Sequence, residues 1–134
     1  MKSSSEDIKD MILAEMPELV FGEILHISRE PISPENTITI YDTPSAPPML
    51  TYKRGEEYEY PAIQVRVRNI DFQTGWDLAE RIKNILHARG REVWNDVYYS
   101  IIACSSGPNM LGWDENDRVL ITVNFEIQRK KKED

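Results

Sequence analysis

The sequence predicts an α+β domain: an antiparallel or mixed β-sheet of about four to five strands with two helices packed on one face. Three observations carry this reading. Thr37 to Tyr41 and Ala62 to Arg68 alternate apolar and polar residues with period two. Phe72, Trp76, Ala79, Ile82, Ile85 and Leu86 recur at helical spacing. Glu92 to Ala103 and Val119 to Gln128 are rich in the β-branched and aromatic residues that fit a pleated, half-buried surface.

In chain order, Ser3 to Met16 opens with serines able to cap free amides and places Glu6 and Asp7 in the first turn, where the helix dipole favours negative charge. Ile8, Met11, Ile12 and Met16 follow on one face, and Pro17 stops the helix. Leu19 to Ile27 is apolar without a clear period, so Val20 to Ser28 reads as a strand or an irregular extension. Pro31 and Pro34 mark a turn. Ile38 and Ile40, then Ile63, Val65 and Val67, set the core faces of two strands. Asp71 is a candidate N-cap for the second helix and Gly90 its C-terminal stop. Two long strands follow. Ser105 to Asp117, with Gly107-Pro108 and Gly112, reads as the loop joining them. The domain is expected to span residues 1–129, with residues 130–134 as a basic, solvated tail.

The chain has 134 residues, with 16 Lys and Arg against 23 Asp and Glu, a net charge of −7 and a pI of about 4.9. One core can hold such a length without staples. The acidic balance argues against broad binding of phosphate backbones, which takes concentrated Lys and Arg. No apolar run approaches the roughly 20 residues of a membrane-spanning helix, and the first residues lack the apolar stretch of a signal peptide, so a cytosolic chain without membrane partners is expected. Cys104 is the only cysteine, and His26 and His87 the only histidines, in no ligand spacing, so no metal and no cofactor are expected.

The informative chemistry lies between the strands. Thr43 to Glu59 is a Pro-rich, charged connection of a length that compact domains keep for binding or leave disordered. Pro44, Pro47 and Pro48 stiffen it, while Met49, Leu50, Tyr52 and Tyr58 offer contact area. It reads either as an interface arm or as a surface hairpin. Leu111 and Trp113 occupy the other long connection, where the Trp either folds onto the core or anchors a partner. Gln64, Arg66 and Arg68 form a stripe on the non-core strand face. Cross-strand pairs such as Arg to Glu126 are the plain reading, and contact with an acidic neighbouring subunit the functional one. Asp114, Glu115 and Asp117 lack the alternating ligands, central Gly and terminal Glu of a calcium loop, so a turn beside a partner Arg118 is expected instead. No phosphate loop, nucleophile elbow or histidine pair supports catalysis; only a carboxylate dyad assembled by folding stays open.

Four segments, Ile38 to Thr43 (ITIYDT), Tyr60 to Arg68 (YPAIQVRVR), Leu111 to Arg118 (LGWDENDR) and Val123 to Arg129 (VNFEIQR), in this order and separated by a single helix, resemble the minor capsid or tail terminator proteins of long-tailed bacteriophages. The similarity spans roughly Ile8 to Arg129. It implies a non-enzymatic α/β protein of the virion, phage or prophage, that assembles in the host cytoplasm as a ring, typically of six copies, on the end of the tail tube. There the ring stops polymerisation and presents a surface to the head connector, while DNA passes through without specific binding. The implied partners are other copies of the chain, the tail tube protein and head-tail connector proteins. The motif positions are then strand core and loop contacts. A monomeric head-tail adaptor or other binding module shares the composition, and a small carboxylate enzyme is the remaining alternative.

Overall fold

A computed structural model describes residues 1–48 and 57–132. Within them the order is α1 (Ser4–Glu15), β1 (Leu25–Ile27), β2 (Thr37–Ala46), β3 (Tyr60–Asn69), α2 (Phe72–Leu86), β4 (Glu92–Trp94), β5 (Val97–Trp113) and β6 (Val119–Lys131). The strands form one six-stranded, strongly curled sheet in the order β1-β2-β3-β6-β5-β4. β1 pairs with β2 in parallel and every other pair is antiparallel. The α+β class, the mixed sheet and the two helices match the sequence reading, and β1 falls inside the Val20 to Ser28 extension. The strand number exceeds it because Glu92 to Ala103, expected as one strand, turns back at Asn95 and Asp96, both at positive φ, and divides into β4 and the start of β5.

Each helix starts where its capping residue predicts. The Ser3 hydroxyl accepts from the Glu6 amide, and the Asp71 carboxylate accepts from the Thr74 amide at 2.9 Å. Ile8, Met11 and Ile12 of α1 and Ala79, Ile82 and Leu86 of α2 pack against Ile38, Ile40, Ile63, Val65, Val67, Ile121, Val123 and Phe125. Gly75 permits the close approach of α2, since a Cβ there would lie 3.1 Å from the Asn69 side chain. Gly90 is not the helix stop. α2 ends at Leu86, with His87 as C-cap. The glycine instead lets the backbone pass the Ser100 carbonyl, only 2.2 Å from where a Cβ would stand.

A polar cluster fastens α1 to the sheet. Asp7 is fully buried and accepts hydrogen bonds from the Tyr99 hydroxyl and from Asn95 Nδ2, the latter at 2.6 Å. Arg129 lies 3.7 Å from the same carboxylate and donates to the Tyr99 hydroxyl at 3.2 Å and to the Lys2 carbonyl at 3.1 Å. Burial, with the bond to Asp7, pushes the Tyr99 hydroxyl far up, so it stays protonated as a donor.

Two segments differ from expectation. Ser105 to Trp113 is not a loop but the second half of β5, which stays paired to β6 through register shifts at Cys104/Ser106, Ser106/Asn109 and Met110/Gly112. Gly107, at φ +110°, sits inside one of them. A long β6 needs partners for its backbone groups, and bulges let a Gly- and Pro-bearing strand supply them. β6 also continues past Arg129 through Lys131, and the Lys132 amide donates to the Asp96 carbonyl at 3.1 Å.

Candidate functional site

The long strands set the geometry of both candidate regions. Thr37, Asn69, Trp113 and Val119 are brought together by register at one end of the sheet, whereas Ala46, Tyr60, Val97 and Lys131 lie at the other. The β5–β6 hairpin that carries Leu111, Trp113 and Asp114 therefore stands at the opposite end from the connection between β2 and β3. The two regions do not form one site.

At the hairpin end, Asp114 builds a closed turn. Its Oδ1 accepts from the amides of Asn116 and Arg118 at 2.9 and 3.0 Å, and its Oδ2 from Arg118 Nε at 2.8 Å. Burial pushes the carboxyl up, but these bonds to Arg118 and Asn116 outweigh it and hold the group below the usual aspartate range. Its oxygens are committed to the turn, as the sequence indicated, and no metal-type cluster of His, Cys, Asp and Glu occurs among the described residues. Arg118 is buried, and its NH1 also donates to the Ile32 carbonyl at 3.0 Å.

Arg68 grips the same segment. Its guanidinium donates to Glu30 Oε1 at 2.9 Å and to the carbonyls of Pro34 at 2.7 Å, Glu35 at 3.0 Å and Ile32 at 3.4 Å. With 2% exposure, Arg68 is a fastener of the 29–36 segment and not a contact residue. Arg66 Nε stands 3.7 Å from Glu30 Oε2, and Gln64 donates to Asn124 at 3.0 Å. The anticipated pairing of this stripe with Glu126 does not form, because the register sets Glu126 opposite Ala62 and Arg66 opposite Thr122.

What the fasteners present is apolar. Ile32 is 89% exposed, Leu111 59% and Trp113 50%. Trp113 is thus not folded onto the core. Ile70 joins this end, its amide held by Asn36 Oδ1 at 3.0 Å.

At the opposite end, the outward faces of β3, β5 and β6 form a continuous stripe. A groove of about 400 Å³ lies between Pro44, Ala46, Ala62, Ile101 and Ala103, with Glu126 and Gln128 along it. One step further along the β5–β6 register, Tyr58, Tyr98, Lys130 and Lys132 line a second hollow of about 310 Å³. Lys130 Nζ rests 5.1 Å from the Tyr58 ring centroid. Of the candidate residues in the β2–β3 connection, Tyr58 is therefore a wall of this hollow, while Met49, Leu50 and Tyr52 lie outside the described residues. Ile101, Ala103 and Lys130 were not singled out in the sequence as contact residues. Ile101 points outward because the ladder shifts between Tyr99 and Ile101, which inverts the alternation that Val97 and Tyr99 establish.

His87 Nδ1 accepts from the Cys104 amide at 3.0 Å, and the His26 ring meets the Glu23 carbonyl at 3.0 Å, each in a local backbone contact. Both regions offer apolar surface edged by charge, which is the chemistry of docking.

Comparison with known proteins agrees. No curated protein matches the chain. A chain of the solved structure titled "Virion of native gene transfer agent (GTA) particle" superposes with a TM-score of 0.65 at 10% identity, covering 96% of this chain and 95% of that one, which shows a shared fold. Residues 6–131 match the family model described as "Bacteriophage tail terminator protein". The match takes in α1 from Glu6 onward, α2, all six strands and both ends of the sheet, and with it the chain belongs to the bacteriophage tail terminator family, a family of structural, non-enzymatic virion proteins.

Proposed function

We propose that this protein caps the tail tube of a long-tailed phage or prophage as a ring of identical copies, stopping tube growth and presenting the opposite surface to the head connector. The supporting observation, beyond family membership, is that two unlike apolar surfaces edged by charge stand at opposite ends of one sheet. A ring closes by a heterologous contact, so each subunit needs two different complementary patches. A molecule with one sticky surface would stop at a dimer. Termination then needs no bond chemistry: one face binds the last tube ring and the other offers no site for a further tube subunit. The net charge of −7 suits a passage that DNA traverses without binding, because like charges repel.

A deletion strain examined by electron microscopy tests this. Tails should be overlong and without heads, and purified chain added to polymerising tube protein should shorten the tubes in proportion to the dose. Tails of normal length in the deletion strain would refute the proposal.

A further inference from the structure

The two ends of the sheet complement each other in a way that one molecule cannot use. The β5–β6 hairpin presents Leu111 and Trp113 followed by the exposed acids Glu115 and Asp117. The far end presents an apolar groove at Ile101 that continues into the lysine-edged hollow at Lys130 and Lys132. Apolar precedes acid on one surface, and apolar precedes base on the other. From Val119 to Lys130 the β6 strand covers roughly 35 Å at about 3.3 Å per residue, so the hairpin cannot reach its own groove.

We infer that the β5–β6 hairpin of one copy docks in the outward groove of the next, with Trp113 or Leu111 against Ile101 and the acids of the turn facing Lys130 and Lys132. This rests on the terminator reading and supplies its subunit contact. The occupant is a second copy because both halves of the match are built into every chain. The positive character of the groove end is local: Glu126 flanks the groove, and Glu59 lies 3.6 Å from Arg129, leaving Lys130 and Lys132 as the bases at the hollow. Opposite charges at the edge of such a contact set orientation and encounter, while the apolar anchor supplies most of the holding energy.

The test is a charge swap on the full chain, followed by sedimentation velocity over a concentration series. Glu115 takes the reversal because Asp117 holds a left-handed backbone, φ +57°, that a lysine adopts poorly. Glu115→Lys and Lys130→Glu should each weaken self-association ~10-fold or more, and the two together on one chain should restore it to within ~3-fold of the parent. Ile101→Ser should weaken it with no charge change. Thermal melts of each variant confirm that the fold is kept. A parent that stays monomeric throughout overturns the inference. So does an oligomer indifferent to all three substitutions, or a double reversal that fails to restore what the single ones lose. Association with purified tube protein alone would assign the groove to that partner and also overturn it. Tail length in the deletion strain separates the two claims, since overlong tails with a failed swap would leave capping in place and remove only this contact.

Discussion

Replacing Arg68 with Met keeps most of the apolar stem and deletes the guanidinium. The structure fixes what is lost: the ion pair to Glu30 and the donors to the carbonyls of Pro34 and Glu35, with a longer contact to that of Ile32. Removing one partner of a buried pair costs ~3–5 kcal/mol because the other charge is left uncompensated. Glu30 keeps Arg66 at 3.7 Å and retains some solvent contact, so the low end applies, ~3 kcal/mol. For a chain of 134 residues, that corresponds to a melting temperature lower by about 10 °C. Urea unfolding followed by the fluorescence of the three tryptophans reads this directly. Arg66→Met is the control; its side chain is 31% exposed and its contact long, so it should cost no more than ~1 kcal/mol. Because Arg68 and Arg118 hold the segment that carries Ile32, the Arg68 variant should also speed amide exchange over residues 29–36 more than elsewhere. A loss below ~1 kcal/mol, or one equal to that of Arg66→Met, would refute the assignment of Arg68 as the fastener of the hairpin end.

Trp113→Ala should cost less in urea stability than in self-association, which it should weaken ~10-fold or more, since the residue is half exposed in the single chain. The opposite ranking would return Trp113 to the core. Gly90→Ala places a methyl 2.2 Å from the Ser100 carbonyl and should cost ~1–3 kcal/mol by displacing β5, measured by the same unfolding curve. The Glu92 carboxyl is pushed up by burial, but bonds from Arg89 and Trp94 outweigh this and hold it below its ordinary value of 4.5. A depressed carboxylate contributes stability above the unfolded value that is lost as pH falls through the folded one. Glu92→Gln should therefore lower the melting temperature slightly at neutral pH and flatten its decline below about pH 4.5, the effect being small because solvent screens the group. A variant whose melting temperature still declines with acid as the parent's does would contradict that pairing.

Much of the fold was legible because period and caps agree with packing. Asp71 marks the start of α2, and the alternation at Ile63, Val65 and Val67 gives the inner face of β3 directly. The hidden parts share a cause: each depends on what lies across the sheet and not on neighbours in sequence. Gly107-Pro108 signals a loop locally, but the unmet backbone of β6 draws it into a ladder. Arg68 alternates onto the outer face as expected, yet period cannot say that the 29–36 segment folds over it. Leu111 and Trp113 were recognisable as contact candidates by type and place, whereas the groove that contains Ile101 exists only because of the register shift beside Tyr99.

The antiparallel course of β3, β5 and β6 has a mechanical corollary. Their strands run along the line from the hairpin to the lysine end, and ladder bonds lie across that line. A pull applied between the two ends loads the rungs in shear, all at once, so none can be unzipped ahead of the rest. Such a subunit would stretch very little under tension passed from one neighbour to the next, and its joints would yield before its body.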